Sequence, residues 1–253
     1  MSPRLASRRI TVVVTPTPGL DDAASRTALL TATARVLGMA PDGLRLGHEP
    51  GGRPLLTGLG DDVRVSLSHG RGVAALALTD LGPVGVDVEV PRPVAAQRLA
   101  DRWFGGAEAD WLRSRPGHAR DLAFFWLWTH KEAMGKACGT GLARGGLERP
   151  GPLPRHWPPP YAPVHRLRPL SRPAGRPDRA GLAVAAPLVG PGAVLAVAAL
   201  GPRACGAPVD VRLCPAPHGR SGSGRPAGGA GTEDACHAAS ARATHPSRRE
   251  LPT

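Results

Sequence analysis

Two stretches of this chain place chemically useful residue types at spacings that bring them together. The first is Val84-Gly85-Val86-Asp87-Val88-Glu89-Val90. As a strand it turns its four valines to one face and Gly85, Asp87 and Glu89 to the other, because successive side chains alternate. Asp87 and Glu89 then stand roughly 7 Å apart along one face, near enough to close on a hard cation. A solvated strand face would carry the same pattern. The second stretch runs from Asp121 to Ala137, where Trp128, Glu132 and Lys136 fall at i, i+4 and i+8 of a helix, stacked on one side. Glutamate four residues before lysine is also an ordinary stabilising pair, worth about 0.2–0.5 kcal/mol. Lysine usage argues for more than that. Lys131 and Lys136 are the only lysines of the chain, arginine is used elsewhere, and the two flank Glu132. A surface ion pair accepts either cation. A compact charge that must reach a phosphate, or a proton-transfer group, does not tolerate the exchange. Gly135 inside this helix costs about 1 kcal/mol and points to close packing there.

A third stretch, Val65-Ser66-Leu67-Ser68-His69-Gly70, ends a strand at a glycine turn. Hydroxyl, imidazole and backbone N–H groups at such an end can contact a phosphate, although a plain polar turn reads the same way. Ser68 and His69 do not form a nucleophile and base pair, since adjacent strand residues point to opposite faces.

The elements that must position these residues follow from periodicity. Residues 8–14 read as a strand. Asp21 and Asp22 cap a helix reaching about Leu37, with Leu30, Ala34 and Leu37 on one stripe and Gly38 as its stop. Leu44 to Leu46 lead into a hairpin approach around the turn His48 to Pro54. Val63–Ser68, Val73–Thr79 and Val84–Val90 are valine- or leucine-rich, with Gly70, Asp80 and Gly82 at the turns, which predicts an antiparallel meander. Helical spacing then runs through Val94–Trp103, Ala107–Ser114 and Asp121–Ala137. Every aromatic residue lies between Trp103 and Tyr161, so the second part builds its core differently from the first. Arg144 to Arg179 is a long Pro-, Arg- and Gly-rich loop. Leu182–Ala186 and Ala193–Leu200 form a closing hairpin around Gly190-Pro191-Gly192. From Pro202 onward there is no aromatic and almost no large aliphatic residue, too little to offset ordering entropy. The expected organisation is an α+β protein with an N-terminal half over 1–90, a C-terminal half over 91–201 joined near Pro91, and a disordered tail over 202–253.

Bulk properties leave few classes. The chain has 253 residues and a formal net charge of +12, which suits anionic partners such as nucleotides, nucleic acid or an acidic protein. No nucleic-acid-binding motif accompanies the charge, and the aromatics sit at apolar helix positions instead of on an exposed sheet. Cys138, Cys205, Cys214 and Cys236 include no CxxC pair, which supports neither a disulfide framework nor a zinc site. The apolar run Ile10 to Val14 is too short for a signal sequence, and no stretch approaches the roughly 20 apolar residues that span a bilayer. A cytoplasmic protein with no membrane partner is expected. A magnesium-dependent phosphotransferase or nuclease would use such carboxylates.

Beyond these readings, the chain resembles the 4'-phosphopantetheinyl transferases. Gly85-Val86-Asp87-Val88-Glu89, followed downstream by Trp128-Thr129-His130-Lys131-Glu132-Ala133-Met134-Gly135-Lys136, is similar to the paired signature of that family. Phe104-Gly-Gly-Ala-Glu108 resembles its Phe-x-x-x-Glu element, Gly52-Arg53-Pro54 its Gly-Lys/Arg-Pro element, Ser68-His69 its Ser-His element, and Arg26-Thr27 the pair before its first long helix. All stand in family order over residues 26–136. Length and order resemble the Sfp (surfactin-synthetase-activating) type, a monomer in which two similar α/β halves with a pseudo-twofold arrangement form one chain. The resemblance implies magnesium-dependent transfer of 4'-phosphopantetheine from coenzyme A to a serine of an apo acyl or peptidyl carrier protein. It implies Asp87, Glu89 and Glu132 as metal ligands, and Arg26, Thr27, Arg53, Ser68 and His69 around the nucleotide phosphates. It also implies Lys131 and Lys136 near the coenzyme, Lys136 at its diphosphate, and Glu132 as the base.

Overall fold

A computed structural model of the chain describes residues 8–142, 146–154, 156–158, 164–170, 182–185, 188–189 and 192–216. The elements of the first part are β1 (Ile10–Pro16), α1 (Asp22–Val36), β2 (Arg45–His48), β3 (Pro54–Thr57), β4 (Arg64–Gly70), β5 (Val73–Thr79) and β6 (Val84–Glu89). There follow α2 (Ala96–Trp103), α3 (Gly106–Arg113), α4 (Gly117–Cys138), β7 (Val164–Arg166), β8 (Arg168–Pro169), β9 (Leu182–Ala185), β10 (Leu188–Val189), β11 (Ala193–Leu200) and β12 (Pro208–Leu213). Among the described residues, no helix is long and apolar enough to cross a membrane.

Side-chain alternation sorts these elements into layers. On β1, Ile10, Val12 and Val14 face a core shared with Val84, Val86 and Val88 of β6 and Leu195, Val197 and Ala199 of β11. Val13 points the other way, to Leu29 of α1 and Leu76 and Leu78 of β5. The first sheet has the order β4-β5-β1-β12-β7 and lies between α1 and the second sheet. In the second sheet β11 pairs with β6, β9 and β10, and β9 with β8. Its outer face, through Ala196 and Ala198, packs on Ala133, Met134 and Ala137 of α4. The phenylalanines and tryptophans form a separate core where α2, α3 and α4 meet: Phe104 stacks on Phe124 at 5.4 Å, and Trp157 meets Trp111 edge-on at 5.2 Å. Helix starts follow local chemistry. Asp21 caps α1 by accepting the Ala24 N–H at 2.7 Å, and Glu108 reaches back to the Gly105 N–H at 3.1 Å at the head of α3.

The α+β class and most elements lie where periodicity puts them. Three expectations change. β4 and β5 form the expected hairpin, but β6 does not continue it, because β5 has β1 on its other edge; β6 ladders instead with β11. The pairing therefore crosses the expected boundary near Pro91: β6 joins the second sheet, while β7 and β12 join the first. The third change concerns the expected tail. Residues 202–216 are built into the fold, with Ala204 and Val209 fully buried and β12 running parallel to β1 from Ile10↔Val209 to Val14↔Leu213. Val209, Val211 and Leu213 alternate with Asp210 and Arg212, a strand signal that averaging over Gly-, Pro- and Arg-rich neighbours conceals. The rest of the expected tail, from residue 217, lies outside the described residues, as does most of the loop expected over 144–179.

A chain ending at Gly201 therefore loses the parallel partner of β1 and should melt roughly 10 °C or more below the full chain, the size expected when several kcal/mol of packing are removed from a domain of this length. Thermal unfolding of the two chains followed by circular dichroism checks this; equal midpoints would show that β12 adds nothing.

Candidate active site

The site is built where β6 lies against α4. The valines of β6 fill the core between the sheets, so Gly85, Asp87 and Glu89 face the helix, as alternation requires. The approach is close. A Cβ on residue 85 would drive into the Ala133 carbonyl oxygen and stand 2.6 Å from Ala137 N. With glycine on the strand and alanines on the helix, Lys136 reaches across: its Nζ donates to Asp87 Oδ1 at 2.8 Å and to Val86 O at 2.9 Å. Ser68 Oγ, from β4, donates to the same Oδ1 at 2.7 Å. Asp87 is 6% exposed, and its other oxygen, Oδ2, is buried with no hydrogen-bond partner among the described residues. Glu132, also buried, sits one turn before Lys136 on α4. Trp128, a further turn back, stacks on Phe124 at 6.0 Å and belongs to the aromatic core. Gly135 is explained by the chain after α4, whose Gly141 N–H donates to Gly135 O at 3.1 Å and whose Gly141 carbonyl a Cβ on residue 135 would strike.

Glu89 accepts from Arg92 Nη1 at 2.9 Å. Burial pushes its pKa above the usual carboxylate range and the neighbouring Asp87 charge adds to this, while Arg92 and Lys136 oppose it. Among the described residues, no three or more His, Cys, Asp or Glu side chains are grouped to enclose a metal ion. Asp87 and Glu89 nonetheless offer carboxylate oxygens, the atom type a hard cation takes, and Asp87 Oδ2 has no hydrogen-bond partner among the described residues.

The expected phosphate contacts separate into groups. His69 Nε2 lies 3.4 Å from Asp22 Oδ1, and Arg26 Nε donates to Asp22 O at 3.1 Å, so Asp22 joins the end of β4 to the exposed face of α1 that also bears Thr27. Arg53 stands apart from them at the end of α4, with Nη2 donating to Ala137 O at 3.3 Å and its guanidinium against Gly139. Ser68 leaves this group, its hydroxyl donating to Asp87 Oδ1.

Lys131 departs further. At 100° per residue it leaves the face of Glu132 and Lys136 and enters the aromatic core, fully buried. Its Nζ donates to Glu108 Oε2 at 2.7 Å and to Arg149 O at 2.8 Å, and lies 4.7 Å from the centre of the Phe104 ring. Glu108 Oε1 in turn accepts the Gly151 N–H at 2.7 Å. Burial lowers the Lys131 pKa, and Glu108 opposes that. Lys131 thus ties α3 and residues 149–151 to α4 through its bonds to Glu108 and Arg149 O. Its neighbour His130 is buried against Trp126, with Nδ1–H donating to Trp126 O at 2.7 Å. Burial lowers its pKa to about 4, the Trp126 bond opposing and the Lys131 charge assisting. Nothing in the sequence pattern marked Arg92; Glu108 and Lys131 were each singled out, but nothing in their spacing joined them as a pair.

Residues 83–174, which hold β6 and α2 to α4, match the model of the 4'-phosphopantetheinyl transferase superfamily. The chain is 35% identical over 127 residues to the 4'-phosphopantetheinyl transferase HetI of Nostoc sp. (strain PCC 7120), an alignment covering 48% of this chain and 52% of that protein. It is 42% identical over 91 residues to the 4'-phosphopantetheinyl transferase AcpT of Salmonella typhi, covering 35% and 46%. To the 4'-phosphopantetheinyl transferase Sfp of Bacillus subtilis (strain 168) it is 30% identical over 101 residues, covering 40% and 43%. The chain spans about half the length of the curated relatives it matches.

Two outcomes follow from the buried groups. Lys131→Met leaves the Glu108 carboxylate buried without its ammonium partner, a loss of about 3–5 kcal/mol, whereas Lys131→Met with Glu108→Gln, which removes the charge and keeps an oxygen for a backbone N–H, should recover part of it. Urea unfolding of the single and double variants measures both. His130 gives a pH dependence. The unfolded chain protonates it near its ordinary pKa and the folded chain only near 4, so the unfolded state binds more protons between these values. Stability is complete above the unfolded pKa and falls as pH drops toward 4. Between pH 7 and pH 5 the native chain should lose about 2 kcal/mol more than His130→Leu, by urea unfolding at the two pH values.

Proposed function

We propose that this chain is a member of the 4'-phosphopantetheinyl transferase superfamily and moves the phosphopantetheine arm of coenzyme A onto a serine hydroxyl of an apo acyl or peptidyl carrier protein, releasing adenosine 3',5'-bisphosphate. The observation that carries the reading is the Asp87–Lys136 contact with Glu132 one turn away, made where β6 and α4 meet inside the family-matched segment. Asp87, Glu89 and Glu132 would hold magnesium, a cation that takes few protein oxygens and completes its shell with water and substrate phosphate. Magnesium, when bound, offsets charge on the phosphoryl oxygens.

The remaining roles belong to side chains. Glu132 takes the proton of the carrier serine, directly or through a water, as its oxygen attacks the phosphorus bearing the arm. Lys136, whose Nζ already stands 2.8 Å from Asp87 Oδ1, offsets charge growing on the departing 5'-phosphate of adenosine 3',5'-bisphosphate as the diphosphate bond breaks. His69, Arg26 and Thr27 form the nucleotide end on the outside of α1 and β4, and Arg53 approaches from the end of α4. Two related halves about a pseudo-twofold axis, as in the Sfp type, and action as a monomer in the cytoplasm complete the proposal.

Incubation with coenzyme A, magnesium and an apo carrier protein should add the mass of one phosphopantetheine arm to the carrier. Glu132→Gln keeps the side-chain shape and should lower turnover at least about 100-fold, the size expected for a lost proton-transfer group. Lys136→Arg should lower it at least about tenfold, a barrier rise of roughly 1.4 kcal/mol. Melting temperatures should change little in either case, and a wild-type rate in Glu132→Gln would remove it from the chemistry.

A further inference from the structure

We propose that Ser68 is a positioning residue that aims the Asp87 carboxylate and is not a contact for coenzyme phosphates; this rests on reading Asp87 as a cation ligand. Ser66 and Ser68 stand two residues apart on β4 and so point to the same side. Each uses its hydroxyl oxygen in the same way. Ser66 Oγ accepts the Val86 N–H at 3.1 Å, and Ser68 Oγ accepts the Val88 N–H at 3.2 Å. These N–H groups lie on the edge of β6 away from its ladder with β11, so the two serines supply acceptors that a neighbouring strand would otherwise provide.

The two differ in where the hydroxyl proton goes. A serine hydroxyl has one proton to donate, and Ser68 directs it to Asp87 Oδ1 at 2.7 Å. Lys136 Nζ donates to that same oxygen at 2.8 Å. With two donors on Oδ1, the carboxylate cannot swing without breaking both bonds, and Oδ2 is held buried with no partner among the described residues. Outer hydrogen bonds of this kind fix ligating carboxylates, and their loss typically weakens metal binding about 10–100-fold. Ser68 is only 6% exposed and its hydroxyl proton is already committed, which leaves its side chain no donor for a phosphate oxygen.

Ser66 supplies the control, because Ser66→Ala removes a β6 backbone bond without touching the carboxylate. The experiment is titration of the full chain with Mn2+ alone, read from the electron paramagnetic resonance signal of free Mn2+, for wild type, Ser66→Ala, Ser68→Ala and Asp87→Asn. Melting curves and coenzyme A titration in EDTA accompany it. Ser68→Ala should weaken Mn2+ at least about tenfold, Ser66→Ala should leave it unchanged, and coenzyme A binding in EDTA should stay at the wild-type value in both. Wild-type Mn2+ affinity in Ser68→Ala, with Asp87→Asn impaired, overturns the positioning role and leaves Asp87 as a ligand. Equal losses of Mn2+ affinity in the two serine variants also overturn it, by assigning the effect to loosening of β6. Weaker coenzyme A binding in EDTA for Ser68→Ala would restore the phosphate contact. Wild-type affinity in Asp87→Asn would instead overturn the cation-ligand reading and the inference with it. Should Ser68→Ala fail to fold, Ser68→Cys carries the same test with a weak S–H donor of similar size, and wild-type Mn2+ affinity in it overturns the inference.

Discussion

The approach of β6 to α4 at Gly85 governs the rest of the site. Any side chain there would meet the Ala133 carbonyl and the Ala137 N–H, so the helix would have to lift from the strand. Lys136 spans the gap with its ammonium on both Val86 O and Asp87 Oδ1, bonds that require the present spacing. The alanines that make the approach possible also form the apolar contact with β9 and β11 that anchors α4 to the second sheet. Core packing and placement of the charged groups are therefore one constraint, and the glycine that is poor for strand propensity is the residue that permits both.

The two lysines show how one helix divides structural and chemical duties by angle. Lys131 is enclosed with every ammonium direction satisfied: by a carboxylate, a carbonyl and an aromatic face. Such a pair contributes little net stability against an apolar replacement, yet breaking it is costly, so it fixes one arrangement of α3, α4 and residues 149–151. Lys136 remains partly exposed at the strand. Glu132 lies between them in sequence but on the Lys136 side of the helix. Its position is set by a core that grips the helix on the other side.

Much of this was legible because alternation and helical period are local properties. The inward valines of β6, the capped α1, the hairpin of β9 and β11 and the shared face of Glu132 and Lys136 all follow from spacing alone. What was not legible depended on partners. Alternation says which face a residue takes and not which strand lies at an edge, so β6 read as the third strand of a meander although β5 was already paired on both sides. The same limit hid β12, whose three apolar residues become a strand only beside β1. Lys131 was ambiguous for a related reason: lysine usage alone does not separate a phosphate site from a buried ion pair, and only its neighbours Glu108 and Phe104 place it in a core.

The position of β6 now has a physical account. One edge is laddered to β11 in the second sheet, and the other is held by serine hydroxyls from β4 in the first. A strand gripped through side chains on one edge can bring its carboxylates within reach of a third element, because those same hydroxyls retain a proton to donate. Ser68 uses that proton on Asp87, and the helix answers from the opposite side with Lys136. Both sheets and α4 thus converge on one carboxylate oxygen, which is why the chemistry proposed for this chain resides on a strand that neither sheet holds alone.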